Sequence, residues 1–170
     1  LGVMATGANG AAWGDIDNDH DPDLYLTSPH DDQPHHLFLN NGNGTFAESA
    51  VASGAAIVDT PVTYRYGTSV AFGDYDSDGW LDIHTNEWGQ NDRNPPELRS
   101  HARLLRNNGA NAPGTFVDKT IEAGVSLEDM VGTGPLESPL EYVLSFSSRF
   151  TDVDRDGHAD LVIASDFGTS

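Results

Sequence analysis

Three short segments of the chain carry closely spaced aspartates that could hold a metal ion together. Each segment has aspartate at its first, third, fifth and ninth positions. Carboxylate oxygen suits a hard cation that takes six to eight oxygen ligands, and calcium tolerates irregular geometry better than magnesium does. The spacing therefore predicts up to three Ca2+ sites, with the side-chain ligands Asp15, Asp17, Asp19 and Asp23 in the first, Asp74, Asp76, Asp78 and Asp82 in the second, and Asp152, Asp154, Asp156 and Asp160 in the third.

The sixth and seventh positions of each segment are expected to complete the loop. Gly79 and Gly157 occupy the sixth position of the last two segments, where glycine allows a positive φ. The first segment has His20 there, which enters the left-handed region less easily, so we expect a weaker or slightly distorted site. The seventh position is expected to bind through its backbone carbonyl, which adds Asp21, Trp80 and His158 to the metal set.

Other roles for these aspartates are less favoured. An EF-hand needs a glutamate at position twelve and flanking helices. Leu26, Thr85 and Ile163 occupy that position here, and the flanks favour strands. The aspartates could instead cap turns through side-chain to backbone hydrogen bonds. A catalytic role is disfavoured, because an aspartate bound to a metal stays ionised and is unavailable as an acid or base.

The elements around the three segments are predicted to be β-strands. Small and aromatic residues precede each segment, and a run rich in β-branched and aliphatic residues follows it, so each segment joins two strands of a hairpin. A second hairpin follows in the first two copies, marked by Asn41-Gly42 and Asn108-Gly109. Two hairpins per repeat make a four-stranded antiparallel unit. The fold class is therefore all-β, built from β-propeller blades.

The repeats divide the chain into one repeat domain over residues 1–170. Blade unit one is predicted at about residues 8–60 and blade unit two at about 66–125. An insertion with several glycines and prolines is expected at about 126–147, and the start of blade unit three at about 148–170. Residues 86–101 are expected to form a long surface loop inside unit two.

The composition excludes some partners. The chain has 27 acidic and 8 basic residues and a net charge of −19, which disfavours nucleic acid and anionic lipid. No apolar run approaches the roughly 20 residues that span a bilayer, so membrane insertion is not expected. There is no cysteine, so disulfides and thiolate metal sites cannot contribute. The first residue is Leu1 with no leader before it, which favours a mature or internal segment.

These motifs together resemble the FG-GAP and VCBS repeat family, which includes the calcium-binding blades of integrin α-subunit propellers. Phe72-Gly73 matches the name motif, Trp13-Gly14 is a close variant, and Phe150-Thr151 lacks the glycine. Residues 37–46 and 121–125 further resemble the cartilage-acidic-protein-like branch. The resemblance implies a secreted propeller of about seven blades that binds calcium and serves adhesion or recognition. Because closure needs at least about four blades, we expect a fragment or an association of several copies through open edges.

The leading functional hypothesis is a non-enzymatic calcium-binding module outside the cell, or in a bacterial periplasm or on a cell surface, with a protein or glycan partner. One alternative is a subunit of an extracellular filament or surface layer. Another is a propeller domain of a polysaccharide-active enzyme whose site lies in the loops 86–101 or 126–147. The residues most able to serve that enzyme are Asp92, Arg93, Glu97, Arg99 and His101.

Two further groups of residues have a structural and a functional interpretation. His30, His35 and His36 lie close together with two aspartates and could bind a transition metal, although a polar loop between strands is favoured. The aromatic residues two positions before each segment are expected to pack between blades rather than to stack on a ligand. They are Trp13, Phe72 and Phe150.

Overall fold

The computed structural model describes residues 7–29, 33–57, 66–88, 102–126 and 143–167. Within these ranges the chain is almost entirely β-structure. The strands are β1 (Gly10–Gly14), β2 (Asp23–Thr27), β3 (His36–Asn40), β4 (Phe46–Glu48), β5 (Tyr66–Gly73), β6 (Asp82–Trp88), β7 (Ala102–Asn107), β8 (Phe116–Asp118), β9 (Val143–Thr151) and β10 (Asp160–Phe167). A short helix, α1 (Ala50–Ser53), follows β4, and a single 3-10 turn (Gly109–Asn111) lies between β7 and β8.

The strands form two four-stranded antiparallel sheets and one hairpin. The first sheet has the order β1-β2-β3-β4, the second has the order β5-β6-β7-β8, and β9 pairs with β10. In all three units, the aromatic residue two positions before the aspartate segment pairs with the residue after the ninth aspartate. The prediction of four-stranded blade units is confirmed, and the described strands do not close into a ring.

The second hairpin of each four-stranded sheet is closed by an asparagine-rich turn. The backbone N–H of Asn41 donates to the carbonyl of Thr45 at 3.0 Å, and that of Asn108 donates to the carbonyl of Thr115 at 2.9 Å. In both turns the asparagine side chain also donates to the threonine hydroxyl at 2.9 Å. The longer second turn therefore keeps the same closing contacts.

The apolar core lies between the first two units. Tyr25, Leu37 and Ile83 are fully buried in one cluster with Ile16, which comes from the first aspartate segment. The hydroxyl of Tyr25 donates to the carbonyl of Ala55 at 2.6 Å, so the segment after β4 is fixed to the sheet. Burial of such side chains contributes roughly 1.5–3 kcal/mol each. The first aspartate segment is thereby fixed to the core through its second residue.

Adjacent units pack through an aromatic ring placed on a glycine. A side chain at Gly14 would lie 2.7 Å from the ring of Phe72, and one at Gly73 would overlap the ring of Phe150. The ring of one unit therefore covers the last residue of the first strand in the unit before it. This confirms inter-unit packing for Phe72 and Phe150. Trp13 is 58% exposed and contacts Phe46 of its own unit, and its packing between blades stays a prediction.

Substitution of Gly73 by alanine should loosen the contact between unit two and the hairpin of unit three. The added methyl group overlaps the ring of Phe150, and overpacking of this kind costs about 1–3 kcal/mol. Urea unfolding of Gly73→Ala, Phe150→Leu and the double variant measures the coupling. The smaller leucine should recover part of the loss, and strictly additive effects would contradict the contact.

Buried polar side chains also link unit two to β9. His84 and Asn86 contact the hydroxyl of Ser148 at 2.8 and 2.7 Å, and the Asn86 amide also donates to the hydroxyl of Ser69 at 2.8 Å. Burial lowers the pKa of His84 to about 4, so the imidazole is neutral near pH 7. Asn86 and Glu87 are buried and belong to β6. The predicted surface loop at 86–101 therefore starts too early in the sequence.

The unit boundaries stay predictions. Strand β9 begins at Val143, inside the segment assigned to the insertion at 126–147. The remainder of that insertion from residue 127 and the loop from residue 89 to 101 lie outside the described residues. Among the residues that the structure describes, no helix has the length and apolar character needed to cross a membrane.

Candidate metal centre

The three aspartate segments form loops between the first two strands of each unit. Loop one joins β1 to β2, loop two joins β5 to β6, and loop three joins β9 to β10. In each loop, three side chains bring one carboxylate oxygen each to within 4.8 Å of one another. The groups are Asp15, Asp17 and Asp19 in loop one, Asp74, Asp76 and Asp78 in loop two, and Asp152, Asp154 and Asp160 in loop three.

The first aspartate organises the backbone of each loop. In loop two, Asp74 accepts the N–H groups of Asp78 and Gly79, both at 2.9 Å. Asp15 and Asp152 accept the N–H groups of the fifth and sixth residues in the same way, at 3.0 to 3.1 Å. Because the same two bonds recur three times, the first aspartate fixes the backbone of each loop in the same way. The turn-capping role considered for the aspartates is therefore present, and it does not exclude metal binding.

Two positions in each loop have left-handed backbone. The sixth residue has a φ of 77° at His20, 87° at Gly79 and 91° at Gly157. The fourth residue is also left-handed, with values of 58° to 68° at Asn18, Ser77 and Arg155. The sequence predicted a left-handed backbone at the sixth position, but the left-handed fourth position was not predicted. Asparagine at position 18 was the one signal, since it adopts this region more readily than serine or arginine does.

The ninth aspartate differs between the first two loops and the third. Asp82 is fully buried and accepts the N–H of Tyr75 at 3.0 Å and that of Asn107 at 2.8 Å. Asp23 is equally buried and makes the equivalent contacts in unit one. Burial raises the pKa of Asp23 and of Asp82 to about 6, against the effect of these hydrogen bonds. Asp160 is exposed and accepts the N–H of Val153.

These contacts give the ninth aspartate a structural role in the first two loops. Asp23 and Asp82 hold the loop against the third strand, and in both loops they lie outside the converging group. Each carboxylate oxygen has two lone pairs, so one N–H bond per oxygen leaves room for a metal. In loop three Asp160 joins the converging group and Asp156 does not. Metal binding by the ninth aspartate stays a prediction.

The seventh residue contacts the fifth aspartate in every loop. The N–H groups of Asp21, Trp80 and His158 donate to the fifth aspartate of their own loop at 2.8 to 3.0 Å. These bonds place the seventh residue beside the carboxylate group. Its carbonyl as a metal ligand stays a prediction.

Neighbouring loops touch one another. The side-chain amide of Asn18 reaches the carbonyl of Gly79 at 3.4 Å, from loop one to loop two. The hydroxyl of Ser77 lies 3.0 Å from Nδ1 of His158, from loop two to loop three. In both contacts the fourth residue of one loop meets the next loop. The three carboxylate groups therefore lie in a row at one end of the units.

Loop one has an unpaired acceptor that fits a cation. Among the residues that the structure describes, Oδ1 of Asp17 is buried and accepts no hydrogen bond. Burial, followed by repulsion from Asp19, raises the pKa of Asp17. A buried carboxylate oxygen without a donor is costly, and an ion held among oxygens would remove that cost. The donor set is oxygen alone, which fits calcium.

Loop two has a positive side chain among its carboxylates. The guanidinium of Arg106, on β7, donates through Nη2 to Oδ2 of Asp78 at 2.9 Å and through Nε to Oδ2 of Asp76. The hydrogen bond to Asp76 raises the pKa of Arg106 above its usual value. Sequence reasoning missed this residue, because its place on the third strand gives no local motif.

The other candidate residues do not form a metal group within the described ranges. Nδ1 of His35 accepts the N–H of Ser28 at 2.9 Å, and its Nε2 lies 3.9 Å from Glu87. His35 lies between β2 and β3, as the polar-loop interpretation has it, but it is only 1% exposed. His36 lies 3.6 Å from Glu48 and is stacked on Phe38. The enzyme candidates Asp92, Arg93, Glu97, Arg99 and His101, and His30, lie outside the described residues.

A comparison with protein families identifies the repeat. The sequence pattern of the FG-GAP-like repeat family matches residues 15–85, from the first aspartate of loop one to β6. The chain contains an FG-GAP-like repeat. The match covers loops one and two, and in the aromatic-on-glycine contact Phe72 lies within the matched residues while Gly14 directly precedes them.

Relatives of known name support the FG-GAP-like assignment. Cartilage acidic protein 1 of Homo sapiens is 30% identical over 99 residues, which are 58% of this chain and 14% of that protein. Cartilage acidic protein 1 of Xenopus tropicalis is 35% identical over 83 residues, which are 49% of this chain and 12% of that protein. The chain thus spans a small part of the length of these relatives.

Substitution of His20 by glycine should stabilise loop one of the FG-GAP-like repeat. A non-glycine residue in the left-handed region costs roughly 1–2 kcal/mol of stability. Glycine removes this cost, but it also raises the conformational entropy of the unfolded chain, which cancels part of the gain. A gain of about 0.5–1 kcal/mol is therefore expected in urea unfolding without calcium. Gly79→His is the reciprocal variant and should lose a similar amount. A loss of stability in His20→Gly would show that the imidazole makes a contact the loop depends on.

Proposed function

We propose that the chain is a calcium-binding β-propeller module that serves recognition or structural assembly and not catalysis. The observation that carries this proposal is a cluster of three aspartate carboxylates in the equivalent loop of each of three units, organised by the same backbone hydrogen bonds to the first aspartate. A solvated acidic surface would not require three loops with matching left-handed positions. The buried, unpaired oxygen of Asp17 adds a local reason for a cation.

Calcium is favoured over other metals by the chemistry of the loops. Every converging ligand is a carboxylate oxygen, which disfavours zinc and copper. The loops are irregular and exposed, whereas magnesium needs near-ideal octahedral geometry. The converging residues would hold the ion, and the ion would supply positive charge at the point where three carboxylates repel one another.

The bound ions would stiffen the row of loops rather than take part in a reaction. Each loop joins the strands that carry the inter-unit ring contacts, and each loop touches the next through its fourth residue. Fixing one loop therefore restricts its neighbour. A rigid row of loops at one end of the blades is suited to binding a protein or a glycan, and the exposed strand edges could also pair with further copies.

We further propose a location outside the cell or on its surface. Calcium sites with weak affinity fill only where calcium is near millimolar, as it is outside cells. The matched relatives are named for cartilage and for acidity, and this chain has a net charge of −19. That charge supports the exclusion of nucleic acid and of anionic membrane surfaces as partners.

A calcium titration with one loop disabled tests the proposal. Asp74→Ala removes the residue that both organises loop two and contributes to its carboxylate group, so isothermal titration should lose one calcium equivalent. Glu122→Ala is the charge-matched control, because Glu122 is exposed and pairs with Lys119. Equal calcium uptake by Asp74→Ala and the wild type would contradict metal binding in loop two.

Turnover on a panel of glycans tests the non-catalytic part of the proposal. Binding of a sugar without cleavage would agree with a recognition module. Cleavage by the purified chain would overturn this part and direct attention to the loops at 86–101 and 126–147. The calcium proposal would be unaffected by either result.

A further inference from the structure

Arg106 places a positive charge inside the carboxylate group of loop two. Its two hydrogen bonds go to the third and fifth aspartates of the loop, Asp76 and Asp78, which are two of the three converging residues. The Arg106 side chain is 35% exposed, and the two aspartates are 26% and 27% exposed. The ion pair is therefore partly shielded from solvent without being buried, and it can open without unfolding the sheet.

Loop one has no equivalent cation among the described residues. Asn40 and Asn107 each donate a backbone N–H to the ninth aspartate at 2.8 Å, so these two positions correspond. The residue before each of them is Leu39 in unit one and Arg106 in unit two. Leu39 packs against the hydrophobic core, whereas Arg106 turns to the loop. Two loops of similar backbone therefore differ in their charge before any metal binds.

We propose that Arg106 is an internal competitor of calcium in loop two. This inference rests on the proposed calcium binding. Calcium would enter beside the carboxylates of Asp76 and Asp78 that the guanidinium already contacts, and repulsion between the two cations would favour breaking the two charge-assisted hydrogen bonds and moving the guanidinium away. The apparent calcium affinity equals the intrinsic affinity multiplied by the fraction of molecules in which Arg106 has left the two carboxylates. Loop two therefore fills at a higher calcium concentration than it would without the arginine.

The same contact stabilises loop two in the absence of calcium. The guanidinium offsets the repulsion between Asp76 and Asp78, so loop two holds its shape without a metal. Loop one has the unpaired oxygen of Asp17 instead. Calcium should therefore stabilise loop one more than loop two, because Arg106 already stabilises loop two when calcium is absent.

Arg106→Leu tests the inference, since leucine is the residue that unit one has at this position. Calcium affinity at loop two should rise about tenfold, because a partly exposed pair of charge-assisted bonds no longer competes. Arg106→Lys keeps the positive charge but cannot make the two hydrogen bonds in the same geometry. Its calcium affinity at loop two should lie between those of the wild type and Arg106→Leu. The midpoint of thermal unfolding in chelator should drop for Arg106→Leu, while its rise on calcium addition should increase.

Two further variants make the result specific. Lys119→Met removes one positive charge that pairs with Glu122 and should leave calcium affinity unchanged. The double variant Arg106→Leu/Asp74→Ala should lose the gain, which assigns it to loop two.

The outcomes separate this inference from the proposed function. No calcium uptake by any variant would overturn calcium binding itself. Calcium uptake by the wild type with the same affinity in Arg106→Leu would overturn the competitor role alone. An equal gain in Lys119→Met would show a general charge effect and would also overturn it.

Discussion

Millimolar calcium is expected to raise the free energy of unfolding by about 2.7 kcal/mol for each loop it fills, when free calcium is a hundredfold above the dissociation constant. The reason is mass action, because the converging carboxylates exist together only in the folded chain. The effect should be close to additive over loops one and three. Loop two should contribute less, because Arg106 already neutralises part of its charge.

Thermal unfolding in calcium and in chelator measures this stabilisation. Asp74→Ala should lose one increment in calcium. Magnesium at the same concentration is the control ion and should stabilise less, because it gives up its waters reluctantly. Equal unfolding curves in calcium and chelator would show that the loops are held by their hydrogen bonds alone.

Asp82→Ala is expected to cost about 3 kcal/mol in chelator, where no metal can contribute. Asp82 is fully buried and satisfies the N–H groups of Tyr75 and Asn107, which hold loop two and β7 together. Each buried donor left without a partner costs roughly 1–3 kcal/mol. Urea unfolding without calcium measures the loss.

Asp160→Ala is the matched control for Asp82→Ala. Asp160 has the same position in loop three, but it is exposed and accepts the N–H of Val153 near solvent. Water can replace that contact, so the cost should stay below about 1 kcal/mol. Equal losses in the two variants would contradict the structural role assigned to the buried ninth aspartate.

The sequence predicted the repeating parts of the molecule well because each depends on local chemistry. The loop positions, the flanking strands and the left-handed sixth residue follow from alternating aspartates, β-branched runs and glycine. The ring of Phe72 on Gly14 could be anticipated only as packing, because its partner lies in another unit.

The features that were missed depend on contacts between distant strands. Asp23 and Asp82 looked like the other aspartates in the sequence, but the third strand of each sheet buries them. Arg106 enters loop two from that same strand, and no spacing rule connects it with Asp76. His35 belonged to a polar stretch of sequence, yet the chain brings it against Glu87 in the interior.

The most direct measurement of the central claim is a count of bound calcium. Native mass spectrometry of the wild-type chain, equilibrated in millimolar calcium and then in chelator, gives the number of ions that the folded chain holds. The account predicts three ions in calcium, two after Asp74→Ala, and none in chelator. A folded chain that carries no calcium under any condition would contradict it.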